Sequence, residues 1–263
     1  AVRLRYTWAM GGLSAILFVV EVVTGLMLMF YYRPVPEHAY VDVVDLREQV
    51  SFGIVRELHR WGAHLMVITV WLHMLRVFLT GGFLGPRQFN WVLGLALLGC
   101  ILAANFTGYL LPWDQLSYWA ITICTGMVGY VPVVGEWLQR VIRGGAEIGS
   151  ATLIGFYTVH TTVVPVLILV LSGFHFWRVR KAKGVVMPRA PGEDIDPQPV
   201  KVLGLPYLLL REFVVALLLI APPKTMRSQE LSSAVNRTVF LRGNIALPTD
   251  CPPPDARTYP GLL

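Results

Sequence analysis

Four histidines form a pattern in this chain of 263 residues. His59 and His73 lie fourteen residues apart, and His160 and His175 fifteen. On a helix those separations return to within about 40° and about 60° of the same face, with the two levels about 21–22 Å apart along the axis. Neutral imidazole nitrogen is a good axial ligand for haem iron, and facing helices of a bundle can hold such pairs. His59 opposite His160, and His73 opposite His175, would bind two bis-histidine haems. The plainer reading, four polar side chains satisfied separately inside a packed bundle, leaves the matched spacing unexplained. His64, five residues after His59, is expected to make a hydrogen bond, and His38 to lie in a loop. Neither is assigned a metal. Gly11 and Gly25, and Gly94 and Gly108, repeat at fourteen residues. They fit helices that carry no side chain where they face the edge of a flat macrocycle, although glycine is also common in membrane helix packing.

These residues need long apolar helices to position them, and the composition supplies them. The chain is 55% hydrophobic and only 14% charged, with a mean hydropathy of +0.58. Ordinary soluble domains carry roughly a quarter charged residues. The arithmetic argues against a soluble enzyme, a disordered tail or a nucleic-acid binder. Four segments, about 8–32, 55–79, 91–111 and 155–177, are long enough to cross a bilayer, which takes about 20 residues. Trp or Tyr stands near both ends of the first, third and fourth segments, as interfacial belts prefer. The net charge of +6 is concentrated at segment ends. Arg3 and Arg5 precede the first segment, Arg76 and Arg87 join the second to the third, and Arg178, Arg180, Lys181, Lys183 and Arg189 follow the fourth. None of these three stretches holds an acid, whereas the first connection holds Glu37, Asp42, Asp45, Glu48 and Glu57 against Arg33, Arg47 and Arg56. By the positive-inside rule the N-terminus lies on the cytoplasmic or equivalent side, the n-side, and the opposite face is the p-side.

The connection between the third and fourth segments is about forty residues long, and long ordered connections are usually functional. Two amphipathic pieces, 114–125 and 133–143, read as surface helices on the p-side. The stretch 202–221 has spanning length, but Arg211 and Glu212 fall in its middle, where unpaired charge is costly. It reads as a short interfacial or half-inserted fifth helix, with a full span the alternative. The division expected is 1–183 for the bundle, 184–223 for linker and short helix, and 224–263 for a polar, Pro-rich extension. Cys100, Cys124 and Cys251 are far apart with no CxxC, so a disulfide framework, a zinc ribbon or a c-type haem attachment is not expected. Cys100 and Cys124 read as small buried hydrophobes. No charged–apolar–small-residue signal pattern opens the sequence.

The histidine and glycine pairs, together with TGLMLMFYYRP (24–34), LHRW (58–61), LTGGF (79–83) and GYLLPWDQLSYWA (108–120), resemble the cytochrome b family. The resemblance covers about residues 6–183 and is strongest to the short b6-type form, whose spacing on the last helix is fifteen and whose turn reads PWDQ. It implies an all-α integral membrane bundle of four transmembrane helices holding two stacked b haems, with p-side surface helices. It implies a p-side haem on His59 and His160, an n-side haem on His73 and His175, and glycine packing at Gly11, Gly25, Gly94 and Gly108. Arg60 would pair with a p-side propionate and Arg76, more weakly, with an n-side one. Arg180 and Lys181 match a basic pair at an n-side quinone pocket, though topology alone would also put cations there. Tyr109, Pro112, Asp114, Thr125 and Gly126 would help to build a p-side quinol pocket. That site passes one quinol electron to a Rieske centre and the other to the p-side haem. Implied too are menaquinone or a similar quinone, a Rieske iron–sulfur protein, a c-type cytochrome and a homodimeric complex in an energy-transducing membrane, such as a bacterial inner membrane.

Three departures qualify this. The b6 pattern has a Cys two residues before the Gly11 position, where it attaches an extra haem. Ala9 stands there, so no covalent haem is expected. The PEWY motif of the quinol-oxidising site is missing, which calls for a separate PEWY-bearing membrane subunit. The eighty residues after the bundle have no counterpart in the b6 pattern. A competing reading follows: a two-haem module carrying electrons across the membrane without bifurcation, coupled to a dehydrogenase or multihaem cytochrome. Glu21, in the middle of the first segment, is a functional candidate by position. It could relay protons, pair with a partner subunit, or sit protonated and hydrogen-bonded in the bundle.

Overall fold

The computed structural model describes residues 10–48 and 53–182 and the single position Val214. The expectations for 184–223, 224–263 and Ala9 fall outside this range. Among the described residues every regular element is a helix, with no strand. The elements are α1 (Met10–Met29), α2 (Pro36–Glu48), α3 (Gly53–Leu79), α4 (Gln88–Leu110), α5 (Gln115–Gly129), α6 (Gly135–Arg143), α7 (Ser150–Thr158) and α8 (Val164–Lys181). A π-helical turn, Val159–Val163, joins α7 to α8 into one rod, and a 3-10 turn, Gly85–Arg87, leads into α4.

Four helices are long and apolar enough to cross a membrane: α1, α3, α4 with its leading turn, and the α7–α8 rod. In α1, α3 and α4 these bounds agree with the expected segments to within three residues. α1 packs along α3, α4 along α8, and α3 against α4. Leu13, Leu17, Met66, Val70, Met74, Ile101, Val164 and Ile168 meet at the centre as one buried cluster. The outward faces are apolar as well: Val19, Val23, Ile68, Trp71, Leu95, Leu102, Val166, Leu169 and Val170 are all exposed. Helices satisfy their backbone groups internally, so apolar outer faces of this kind suit lipid. The chain is an integral membrane protein.

The connecting helices collect at one end. α2 was not expected, since the acidic connection reads as a loop, yet it forms a three-turn helix that buries Ala39 and Leu46. Asp42 anchors it. Its carboxylate accepts from Arg33 backbone N (2.8 Å), Nε (3.0 Å) and Nη2 (2.6 Å). Burial pushes the Asp42 carboxyl up, but these donors outweigh it and hold the group below the usual carboxylate range. A second buried cluster, Ala39, Leu110, Trp113, Ile121 and Leu153, ties α2, α4, α5 and α7 together.

The surface helices form much as expected. Asp114 is the N-cap of α5, accepting from Ser117 N at 2.8 Å and Ser117 Oγ at 2.9 Å. Trp113, just before it, is buried at φ +52°, a left-handed conformation that non-glycine residues seldom adopt. α6 ends on Gly144 at φ +71°. The two cysteines depart from expectation: Cys100 is half-buried, and Cys124 is exposed because it lies on the outward side of α5 with Ile123 and Met127.

Candidate functional site

The site is built where α3 and the α7–α8 rod face each other across the bundle. His59 and His160 meet there, with ring centroids 6.2 Å apart and ring planes at 86°. About 2 Å for each metal–imidazole bond and about 1 Å from nitrogen to ring centre sum to about 6 Å, so this separation admits one metal between the two rings. Their Nδ1 atoms are already engaged. His59 Nδ1 lies 2.9 Å from Thr24 Oγ1 and 3.1 Å from Glu21 Oε2. His160 Nδ1 lies 3.0 Å from the Ala104 carbonyl and 3.1 Å from Thr107 Oγ1. Each threonine hydroxyl donates to its own helix, Thr24 to Val20 O and Thr107 to Ala103 O. Its oxygen is therefore the acceptor for the imidazole N–H. Nδ1 held as donor leaves Nε2 with the lone pair, as an iron ligand requires.

At the second level His73 and His175 line one cleft together with Met74, Arg76, Arg87, Asn90, Trp91 and Gly94. His175 Nδ1 is buried, with the Asn90 backbone beside it but outside hydrogen-bond geometry.

The glycines are paired one to one with the histidines. A Cβ on Gly108 would stand 2.6 Å from His160 Cε1, on Gly11 3.0 Å from His73 Cε1, and on Gly25 3.2 Å from His59 Cε1. On Gly94 it would meet Met74 Sδ at 3.3 Å and His175 Cε1 at 3.8 Å. The expected role was clearance for the edge of a macrocycle. At Gly11, Gly25 and Gly108 the tight approach in the structure is to the imidazole of the same level, so these glycines also set how far His73, His59 and His160 can seat towards α1 or α4, whereas at Gly94 the tight neighbour is Met74.

The fifteen-residue spacing is reconciled by the π turn. His160 lies within it, and the Val164 N–H reaches back five residues to Val159 O. Pro165, one residue on, has no N–H to give to the Thr161 carbonyl, which loosens the helix at this point. A single wide turn takes up one extra residue. His160 and His175 thereby come to the same face as the fourteen-spaced pair on α3.

The remaining candidates are distributed unevenly. Arg60 lies 3.9 Å from Glu57 Oε1 and its guanidinium is 5.3 Å from the Trp61 ring centre, with almost half its side chain exposed. Arg76 and Arg87 line the His73–His175 cleft, whereas Arg180 and Lys181 line a separate surface groove with Gly173, Phe176 and Trp177. Lys181 Nζ stands 5.1 Å over the Trp177 ring. At the other end Tyr109 is exposed, Pro112 half-buried, and open space faces Gly126. Asp114 is committed to its cap. Thr125 is buried and accepts from Arg143 Nε at 2.7 Å. His64 makes its expected hydrogen bond, Nδ1 to Arg60 O at 2.6 Å. His38 stands in the first turns of α2 instead of a loop. The partners of the imidazoles, Thr24 and Thr107, were not singled out from the sequence. The signal was there as two Thr–Gly dipeptides, 24–25 and 107–108, ahead of glycines that were.

Comparison with known proteins gives the same direction. The family described as Cytochrome b/b6/petB matches residues 1–183. Similar proteins include cytochrome b6 of Auxenochlorella protothecoides, 43% identical over 175 residues, covering 66% of this chain and 81% of that one. Cytochrome b6 of Emiliania huxleyi is 45% identical over the same length. Cytochrome b6 of Synechococcus sp. (strain CC9902) is 42% identical. Among solved structures, a chain of a hyperthermophilic respiratory Complex III aligns with a TM-score of 0.69 at 27% identity. It covers 81% of this chain, which in turn spans only 57% of that one. The facing imidazoles with Nδ1 engaged, and glycines that make room for them, fit b-type haem, the cofactor this family implies. The chain belongs to the cytochrome b/b6 family of membrane electron-transport proteins.

Proposed function

We propose that this chain is the two-haem subunit of a quinol-oxidising Rieske/cytochrome b complex, with quinol oxidised at the p-side and quinone reduced at the n-side. The observation that carries the reading is the pairing of His59 with His160 and of His73 with His175, each with a glycine behind the ring. The b haems supply one-electron transfer between two levels stacked about 21 Å apart across the bilayer. Everything else falls to the chain's own side chains. Thr24 and Thr107 orient the imidazoles of the first level. Gly11, Gly25, Gly94 and Gly108 let the rings seat. Arg76 and Arg87 place positive charge at the second level, where a propionate or a quinone oxygen would be compensated. The retained α5 and α6, PWDQ among them, favour a bifurcating complex, since they would form the p-side pocket around Tyr109, Pro112 and Gly126 and face a Rieske protein. Arg3, Arg5 and the basic end of α8 favour an N-terminus on the n-side, and a bacterial inner membrane is the setting proposed.

Gentle detergent purification of the native complex, with mass-spectrometric identification of every subunit and a haem count, tests this. A Rieske protein, a c-type cytochrome and a PEWY-bearing subunit, with two b haems for each copy of the chain, is the expected result. A dehydrogenase or multihaem cytochrome in their place would instead establish a non-bifurcating transmembrane electron carrier.

A further inference from the structure

The two histidines of the first level are held by matching positions on different helices. Glu21, Thr24 and Gly25 occupy the i, i+3 and i+4 positions of one face of α1, and Ala104, Thr107 and Gly108 occupy the same positions on α4. In both, the glycine faces the ring and the threonine oxygen meets Nδ1, at 2.9 Å for His59 and 3.1 Å for His160. The difference lies at the first position. At His160 the small Ala104 leaves its backbone carbonyl as the further acceptor at 3.0 Å. At His59 the side chain of Glu21 brings a carboxyl oxygen to 3.1 Å. Glu21 is 8% exposed, in the middle of α1. Its other oxygen, Oε1, is buried without a hydrogen-bond partner among the described residues and points at Gly62, where a Cβ would collide with it. An acidic side chain is thus accommodated at one imidazole of the four, in space that a glycine on α3 leaves for it.

We infer that Glu21 is a positioning residue for the His59 ligand, and that its contact with Nδ1 lowers the reduction potential of the haem at that level and not of the other. A carboxyl oxygen accepting from Nδ1–H raises the basicity of the ligating nitrogen more than a hydroxyl alone does. A more basic axial ligand favours the oxidised iron, and hydrogen bonding around the ligand is one of the protein's levers on potential. The inference rests on the reading of His59 and His160 as iron ligands.

The test is a redox titration of the purified complex, following the optical bands and low-spin electron paramagnetic resonance signals of the two haems separately. Glu21→Leu removes the acceptor while keeping an apolar side chain of similar length. It raises the potential of one haem by at least a tenfold change in its reduction equilibrium, 59 mV for one electron, and alters that haem's resonance signal. The second haem stays in place, and Glu21→Gln, which keeps an acceptor oxygen, lies nearer the parent. Gly62→Ala, which crowds the carboxyl without removing it, moves the same haem in the same direction and decides the matter if Glu21→Leu does not assemble. Two bound haems whose potentials are unmoved by these variants, or move together, overturn the inference. A parent complex without two b haems for each chain overturns the proposed function instead.

Discussion

A hydrogen bond at the other nitrogen fixes the tautomer and orientation of a histidine that ligates iron. Thr24 and Thr107 do this at the first level, one turn from glycines that let the rings seat. Replacement of His175 by Leu is expected to leave one b haem per chain, counted by extraction and by the reduced optical spectrum, because the first level shares no ligand with the second. Gly108→Val is expected to lose the other haem, since even a Cβ there would press the His160 ring at 2.6 Å. Away from the haem region, Asp42 gives a pH signature. Its carboxyl is held below its ordinary value, so the ion pair with Arg33 contributes stability that is fully present above about pH 4, the ordinary Asp range. That contribution disappears as the pH falls through the lower folded value. Thermal unfolding followed from pH 6 down to pH 3 should show the parent losing more stability than Asp42→Asn, which starts lower at pH 6.

Among the elements, the rod from α7 to α8 does the least expected thing. Its π turn absorbs the odd residue between His160 and His175, and such a turn can close to an ordinary α turn when one residue is removed. Deletion of Thr162 is therefore expected to retain both haems. Deletion of Ile68 from α3 has no wide turn to draw on. It rotates His73 by about 100° relative to His59 and should cost a haem. Haem per chain in the two deletion variants decides between them. The cap of α5 is a second element-scale feature. Asp114→Ala should cost about 1 kcal/mol through loss of the N-cap, read as a lower unfolding midpoint, while Asp114→Asn, which still caps, should cost little.

For the molecule as a whole, all the short helices gather at one end, and the basic ends and the acidic connection are the basis of the orientation we propose. Reporter fusions after Ala182 and within 145–149 should report opposite sides of the membrane, the former on the side of the N-terminus. The two ends also differ in how they are closed. Arg87 Nη2 donates to the Ala182 carbonyl at 2.6 Å at the basic end. At the other end the Tyr32 hydroxyl donates to the Leu111 carbonyl at 2.6 Å, and Tyr32 stacks on Tyr157 with centroids 5.7 Å apart. Burial first, then the neighbouring Tyr157 and Asp42, push the Tyr32 phenol up, so it stays a hydrogen-bond donor throughout the working pH range.

Spacing and hydropathy alone were enough to reveal four spans and the histidine and glycine registers, because each is a one-dimensional property: a period or a run of apolar residues. The α2 helix was not legible, since its acidic sequence has no apolar stripe and it forms by burying Ala39 and Leu46 and by binding Asp42 to Arg33. The imidazole partners and the seat of Glu21 against Gly62 depend on which residues of α1 and α3 stand opposite one another. That relation is absent from either helix read singly. The phase of His160 also waited for the fold. An α-helix read at 100° per residue leaves it about 60° out of line with His175, and only a local widening of the backbone next to Pro165 brings the two back to one face.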